Sequence, residues 1–472
     1  MRCIALLSFL FAFCVCGFSS TKQRVIILTD MGADPDDEQS LVRLLVYANQ
    51  IDIEGVVATT SCWHRNGIRP DFIDTILDAY ERVQPNLSKH EDGYPTAKAL
   101  RGVVKHGSPK YGMTGVGEGM DSEGSEWIIQ QWEADDERPL WISVWGGPNT
   151  LAQALYKIDL TRSEDEAKRL ISKLRVYTIS DQDDSAMWMR EEFPDLFYIV
   201  TPTDDYGKAT WIAINNNHDG SDNVLVSNPW LAENIQQGHG PLGTKYPDTA
   251  WGMEGDTPAF LGLIPNGLNA PENPDWGGWG GRYELSIPDI DDFEDGGSVV
   301  VPSPETRPIW TDTSDTYTPY RASEYKRAIE KSENSYSGNA VTLWRWRDDF
   351  QNDFAARMDW CVLSFEEANH PPVPHLNHPE EITVKSGQGV TLDAYGSSDP
   401  DGDSISYLWF NYPEAGTYNG TMTTGGAENV DRFNFTAPQV DQVVTAHFIL
   451  RVTDKGSLAL SRYQRVIVTF EP

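Results

Sequence analysis

The chain has 472 residues, with 37 Lys and Arg against 71 Asp and Glu, so its formal charge is −34. This excess of carboxylate excludes a grip on nucleic acid or on an anionic membrane, both of which need basic surface. With 16 Trp and 19 Tyr the chain is too aromatic for disorder, and its length suits two or three packed domains.

Residues 1–20 read as a secretory signal peptide: Arg2, an apolar run from Cys3 to Gly17, then small residues up to Ser20. The protein is therefore expected to be secreted and extracellular, with no membrane association after signal cleavage. Removal of the signal takes three of the five cysteines and leaves Cys62 and Cys361, which form one disulfide or stay as buried thiols. Two cysteines are too few for a cysteine-based zinc site. N-x-S/T sequons occur at Asn86, Asn419 and Asn434.

From Arg24 onward, strand-like and helix-like segments alternate. The runs 24–30, 53–60, 139–145 and 174–180 are short and rich in β-branched or aromatic residues. Between them, 36–50, 71–83 and 149–158 have helical spacing; Leu41, Leu44 and Leu45 share one face. The pattern predicts an α/β domain over 21–367, a mostly parallel Rossmann-like sheet covered on both faces. Ligands then belong at the carboxyl ends of the strands. Residues near 285–340 are acidic, Pro-rich and without period, and read as an irregular surface insertion. The chain returns through an aromatic-rich helical segment at 343–362. A Pro- and His-rich linker is expected over 368–381. The period-two pattern of 382–472 predicts a small all-β Ig-like sandwich.

The segment from Thr29 to Glu38 places Asp30, Asp34, Asp36, Asp37 and Glu38 directly after the first strand. Like charges at this density are costly unless they are solvated, protonated or neutralised by a cation. A hard divalent cation with oxygen ligands meets the need, and Ca²⁺ takes six to eight of them. The alternative is a solvated helix N-terminus, where the dipole favours carboxylates.

This opening resembles the D-x-D-P-G-x-D-D motif of the nucleoside hydrolases. WISVWGGPNTLAQAL (141–155) is similar to that family's second conserved turn, and GMEGDTPAFL (252–261) stands where the family has its late His-Asp pair. EGDTPAFLGLIPNGL, GGWGGRY and WRWRDDFQNDFAARMDW, with the Ig-like tail, resemble a secreted nucleoside-hydrolase-like family often labelled cellulose-binding protein. The resemblance implies a nucleoside-hydrolase-type sheet and a calcium-dependent hydrolase of N-glycosyl bonds. Its substrate would be a small glycoside or nucleoside. Asp30 matches the residue that binds Ca²⁺ and takes the proton of the attacking water. Asp37 matches the bidentate ligand, Asp256 the late ligand and Asp36 the residue that holds sugar hydroxyls. A backbone carbonyl near Pro148 or Asn149 completes the implied set. Departures are informative. Leu28 replaces the family's first Asp, and two residues, Asp34 and Pro35 or their neighbours, are inserted. His64 stands where the family has Asn. Asp183 and Asp184, with Asp181, occupy the segment that supplies sugar-binding groups. Gly255 replaces the late His, leaving Glu254 as the nearest ionisable group. These departures fall on the leaving-group side. The alternative is therefore a non-catalytic protein that binds cellulose or another plant polysaccharide on the same scaffold. A third reading is an O-glycosidase, since carboxylate pairs serve that reaction too.

Other features have two readings each. Trp63, His64 and Arg65 contact a sugar or form a structural loop. The Gly-rich segment 111–125 reads as a lid over the site. Trp276, Trp279, Arg282 and Tyr283 offer planar faces to a sugar or form a packed turn. DPDGD (399–403) is a Ca²⁺-binding turn or a plain turn.

Overall fold

The computed structural model describes residues 22–203, 205–288, 300, 304–322, 329–331, 333–422 and 429–472. The signal peptide read over residues 1–20 lies outside them, as does part of the 285–340 segment. No helix among the described residues is long and apolar enough to cross a membrane.

The strands of the first domain are β1 (Gln23–Thr29), β2 (Ile51–Ala58), β3 (Val104–His106), β4 (Leu140–Val144), β5 (Leu174–Thr178), β6 (Phe197–Ile199), β7 (Tyr283–Ser286) and β8 (Ile309–Asp312). They form one sheet in the order β3-β2-β1-β4-β5-β6-β8-β7, parallel except where β7 runs against β8. Alternation in β1 explains why it lies at the centre. Val25 and Ile27 enter one apolar core, Ile26 and Leu28 the other, and all four are fully buried. Trp141 of β4 faces the first core while Leu140, Ile142 and Val144 face the second. A strand apolar on both faces needs helices on both sides.

Helices α1 (Asp36–Val46), α2 (Pro70–His90) and α3 (Ala97–Gly102) supply Leu41, Leu44, Ile73, Leu77 and Leu100 to the first core. Helices α4 (Glu123–Trp132), α5 (Asn149–Thr161), α6 (Glu164–Lys173) and α7 (Ser185–Glu192) cover the second with Ile128, Leu151, Leu170 and Met189. The starts of α4 and α6 are fixed locally. Ser122 and Ser163 each accept an N–H from the first turn, and the residue three further on bonds back. The order β3-β2-β1-β4-β5-β6 reverses between β1 and β4. In an open parallel sheet that reversal opens a crevice at the carboxyl ends.

Two expectations about the chain's organisation need correction. The 285–340 segment is not wholly an insertion: β8 lies beside β6 and, with β7, completes the sheet edge. Alternation over three or four residues was too short to stand out from the acidic background. The 368–381 segment is exposed or half-buried from 373 onward, as a solvated linker should be, but its start is packed. His370 is buried, its Nε2 lies 2.9 Å from His90 Nδ1, and its Nδ1 lies 2.8 Å from Asp401.

The C-terminal domain has a four-stranded sheet (Glu381–Lys385, Ser461–Glu471, Val444–Thr453 and Ser406–Tyr412) facing a pair (Gly389–Asp393 and Arg432–Thr436). Trp409, Phe448, Leu450 and Phe470 fill the space between them. The helix Arg347–Asp359 joins the two domains through buried charge. Asp349 accepts from Ser461 and Tyr463 and pairs with Arg451; Asp353 accepts from Arg462 at 2.6 Å and from Tyr47 at 2.6 Å. Trp279 is wholly buried here against Phe350 and Tyr463, and Arg282 is paired to Asp315 at 2.7 Å. Trp279 and Arg282 therefore serve the domain junction, Trp276 is half-buried against His447 and Arg465, and Tyr283 packs on Tyr177 within the first sheet. Cys62 and Cys361 are both free buried thiols. Asn86 spends its side-chain amide on the carbonyls of Trp360 and Leu363, at 2.9 and 2.6 Å.

Candidate active site

At the β1/β4 reversal a cleft of about 540 Å³ opens. Asp30, Asp34, Asp36, Asp37 and Asp256 form its acidic part, and Trp63, Trp145, Tyr206, Trp211 and Trp251 its aromatic part. The acidic part follows from chain geometry. Asp30 follows the last residue of β1, and Asp36 and Asp37 open α1, where the helix dipole favours negative charge. Carboxylate oxygens of Asp34, Asp36 and Asp37 all lie within 4.8 Å of one another. Asp256 arrives from a distant segment, carried by a tight turn in which Glu254 takes φ +51°.

Two glycines allow the convergence. A Cβ on Gly146, just after β4, would fall 2.6 Å from Asp30 Oδ1, and one on Gly255 would fall 2.6 Å from Asp36 Oδ2. Neither position tolerates a side chain without displacing a carboxylate. Ser61, after β2, donates its hydroxyl to Asp30 Oδ2. Its oxygen in turn accepts the backbone N–H groups of Trp63 and His64, each at 3.0 Å. Thr29 donates to Asp37.

The electrostatics are one-sided. Burial is the largest effect on Asp30, Asp36, Asp37 and Asp256, and the neighbouring carboxylates add to it. Together they push Asp30 up to about 7 and Asp36, Asp37 and Asp256 well above the ordinary carboxylate range. No Lys, Arg or His is among the described residues lining the cleft. Oδ2 of Asp256 is buried with no hydrogen-bond partner. A buried acceptor without a donor, in an all-oxygen set of five carboxylates, is the chemistry of a hard divalent cation site. The residues fit Ca²⁺.

The remaining expected residues divide differently. Glu254 is wholly buried behind the cleft. It is ion-paired to Arg43 and accepts from Tyr246 at 2.6 Å and Thr257 at 2.8 Å. Both its oxygens are committed to this network, and none is left to offer a substrate. Asp183 is buried, pushed up to about 7 chiefly by burial, and holds Ser185 N–H at 2.8 Å. Asp184 is exposed and accepts the Met113 N–H at 2.8 Å, closing the Gly112 turn. Neither lines the cleft. Asp181 forms a two-pronged pair with Arg190 at 2.7 and 2.8 Å. Asn149 opens α5 and gives its side-chain amide to the Lys110 carbonyl; the Pro148 carbonyl already accepts Ala152 N–H at 3.0 Å. His64 lies half-buried in the Ser61 turn, away from the cleft lining. The Gly-rich 111–125 segment is pinned by Gln153, which accepts from Gly117 N–H at 2.7 Å and donates to Asp121 at 2.7 Å, so it packs on α5 instead of acting as a lid.

Sequence reasoning named Asp34 in the acidic cluster but left it out of the implied ligand set, because it read as an insertion. It missed Ser61, Trp145, Gln182, Tyr206, Trp211, Asn215 and Trp251. Ser61 and Trp145 follow strands and were open to the strand-end rule. Trp211, Asn215 and Trp251 come from irregular chain between β6 and β7, where no periodicity marks them.

Residues 24–283 match the family model described as cellulose-binding Sde182, nucleoside hydrolase-like domain. Residues 389–470 match that of cellulose-binding protein Sde0182, C-terminal domain. Among solved structures, the chain is similar to a nucleoside hydrolase-related hypothetical protein from Saccharophagus degradans, described as associated with carbohydrate metabolism. The two share 38% identity over 95% of this chain and 100% of that one, with a TM-score of 0.80. The effector protein XOO4466 aligns at 11% identity over 61% of this chain and 87% of its own, with a TM-score of 0.33. No curated protein matches the chain.

Proposed function

The chain belongs to the cellulose-binding Sde182 family, with its nucleoside hydrolase-like domain and its C-terminal domain, and on that premise we propose a secreted, Ca²⁺-dependent hydrolase of N-glycosyl bonds in a small glycoside or nucleoside. One observation supports this reading above the others. Five carboxylates converge at the sheet's reversal point, and no cationic side chain is among the described residues lining the cleft. Asp30, Asp34, Asp36, Asp37 and Asp256 would hold the cation. When bound, it would gather sugar hydroxyls and acidify a water.

The chain's own residues account for the rest. Asp30 is buried, pinned by Ser61 and open to the cleft, and takes the proton of the attacking water. Asp36 lines the floor and accepts hydrogen bonds from sugar hydroxyls. As positive charge builds on the anomeric carbon, the surrounding carboxylates stabilise it, and the aromatic walls keep out bulk water. The test is sugar release from a panel of nucleosides and 4-nitrophenyl glycosides, with Ca²⁺ or with EDTA, beside Asp37→Asn. Release that needs both Ca²⁺ and Asp37 is expected. Full activity in Asp37→Asn would sink the reading.

A second reading has its own observation. Gly255 precedes Asp256, and Glu254 is locked to Arg43, so no imidazole or free glutamic acid in the cleft lining stands ready to protonate a leaving nitrogen. On this reading the cleft holds carbohydrate, with cellulose as the candidate, and releases it unchanged. Silence across the panel, with Ca²⁺ still bound, is its expected signature.

A further inference from the structure

Of the 16 Trp in the chain, only Trp63 and Trp251 are exposed, at 47% and 90%; the other 14 are buried or half-buried. Both line the same cleft. A fully wetted indole beside a second exposed indole is an expensive surface to keep unless it meets a ligand. The Trp63 ring is held: its Nε1 donates to Tyr206 OH at 3.3 Å, and Tyr206 packs edge-on against Trp211 at 5.3 Å.

Two polar groups of the same cleft are uncommitted. Trp211 Nε1 is a buried donor without an acceptor, and Gln182 Oε1 is a buried acceptor without a donor; both residues line the cleft. Trp211 is 7% exposed and Gln182 is 5% exposed, so water is a poor substitute partner. A ligand hydroxyl satisfies either group, since it both donates and accepts. Aromatic faces for C–H surfaces, single donors and acceptors for hydroxyls, and no cationic residue in the lining describe a neutral saccharide. They disfavour a phosphorylated or uronic ligand, which the acidic floor would repel.

We propose that the outer half of the cleft, Trp63 and Trp251 with Trp211 and Gln182 beneath them, is a binding site for a neutral glycan chain, one pyranose ring lying against each exposed indole. This rests on the second reading, in which the cleft holds carbohydrate, and deepens it by assigning the side chains that take the glycan; it does not depend on turnover. It also places glycan recognition on the first domain and not on the C-terminal sandwich, whose exposed Tyr395 is covered on one face by Arg432, 5.3 Å from its ring centroid.

The experiment is titration calorimetry of the full-length protein with cellohexaose, and with polygalacturonate as an anionic chain, in EDTA so that cation-dependent effects are absent. Variants are Trp251→Ala, Trp63→Ala and, as control, Tyr395→Ala. Both Trp positions are exposed, so the variants are expected to fold. Cellohexaose binding that weakens at least about tenfold in each Trp variant, stays unchanged in Tyr395→Ala and is absent for polygalacturonate supports the proposal. Absence of cellohexaose binding by the wild type overturns it, as does binding lost in Tyr395→Ala and kept in the Trp variants. Sugar release in the nucleoside panel is scored separately, so failure of the hydrolytic reading leaves this result standing.

Discussion

The molecule contains two populations of buried carboxylate, and they are handled in opposite ways. At the domain junction every one described above has a partner. Asp315 sits 2.7 Å from Arg282, 2.9 Å from Arg345 and 2.6 Å from Tyr412; Asp353 is bracketed by Arg357 and Arg462. Although burial opposes ionisation there, Arg462 and Arg357 hold Asp353 below the ordinary carboxylate range. In the cleft, burial is met by more carboxylates, and Asp30, Asp36, Asp37 and Asp256 are all pushed upward. The junction is a finished structure. The cleft gathers buried carboxylates with no counter-charge beside them, the arrangement that the proposed cation would neutralise. Burial alone does not separate the two; the identity of the neighbours does.

The sharpest way to break this contrast is to remove one cleft charge. Asp37→Asn is expected to abolish turnover and the rise in melting temperature on adding Ca²⁺, a rise worth about 3 kcal/mol at a hundredfold excess over Kd. In EDTA the same variant should melt above the wild type, because one repelling charge is gone. A lower melting temperature in EDTA would mean that the cleft carboxylates are paired like those of the junction. The opposite substitution applies to a finished pair. Arg43→Met strands Glu254 in the interior and should cost about 3–5 kcal/mol in denaturant unfolding, while Arg43→Met with Glu254→Leu should recover most of it. Failure of the double variant to recover would show that Arg43 matters through Phe354, over whose ring it lies at 4.0 Å, more than through charge.

A third, smaller effect tests the junction by pH. His447 is buried beside Arg465, its Nδ1 3.1 Å from Nη1, and burial, then Arg465, holds its pKa down to about 3 against an ordinary 6.5. The unfolded chain therefore takes up a proton below pH 6.5 that the folded chain refuses. This stability is complete above pH 6.5 and is lost as pH falls toward 3. His447→Gln has no such proton to take up, so the wild type should lose about 3 kcal/mol more than the variant between pH 7 and pH 4. Parallel stability curves would remove His447 from the account.

The same contrast explains what the sequence could tell. The parallel sheet was legible because β1, β4 and β5 are apolar on both faces and α1 carries Leu41, Leu44 and Leu45 in register. Asp30, Asp36 and Asp37 were legible because one strand-to-helix turn carries them all. Asp256 was reachable through its resemblance to a late motif, but nothing local says that Glu254, two residues earlier, turns inward to Arg43. That depends on a partner 211 residues away. The Trp-rich 276–283 run looked like a sugar platform because composition shows an aromatic without showing which face is covered. Of the two exposed indoles, Trp63 was legible because it follows the second strand, whereas Trp251 stands in irregular chain where neither period nor motif marks it.

The smallest predicted effect concerns Ser61, the residue that joins the two ways of handling charge. It gives Asp30 a neutral donor in a place where the junction would have supplied an Arg, and two backbone N–H groups hold its oxygen in return. An Arg there would satisfy Asp30 and end its use as a base, whereas a hydroxyl orients the carboxylate and leaves the cleft's charge intact. Ser61→Ala removes the orientation without changing any charge. Expected are a fall in kcat of about tenfold, the worth of one lost hydrogen bond at a buried group, with KM and the Ca²⁺-dependent rise in melting temperature close to wild type. If Ser61→Ala instead loses Ca²⁺ stabilisation as completely as Asp37→Asn, the hydroxyl is needed to build the cation site itself. The cleft would then depend on neutral donors as heavily as the junction depends on arginines.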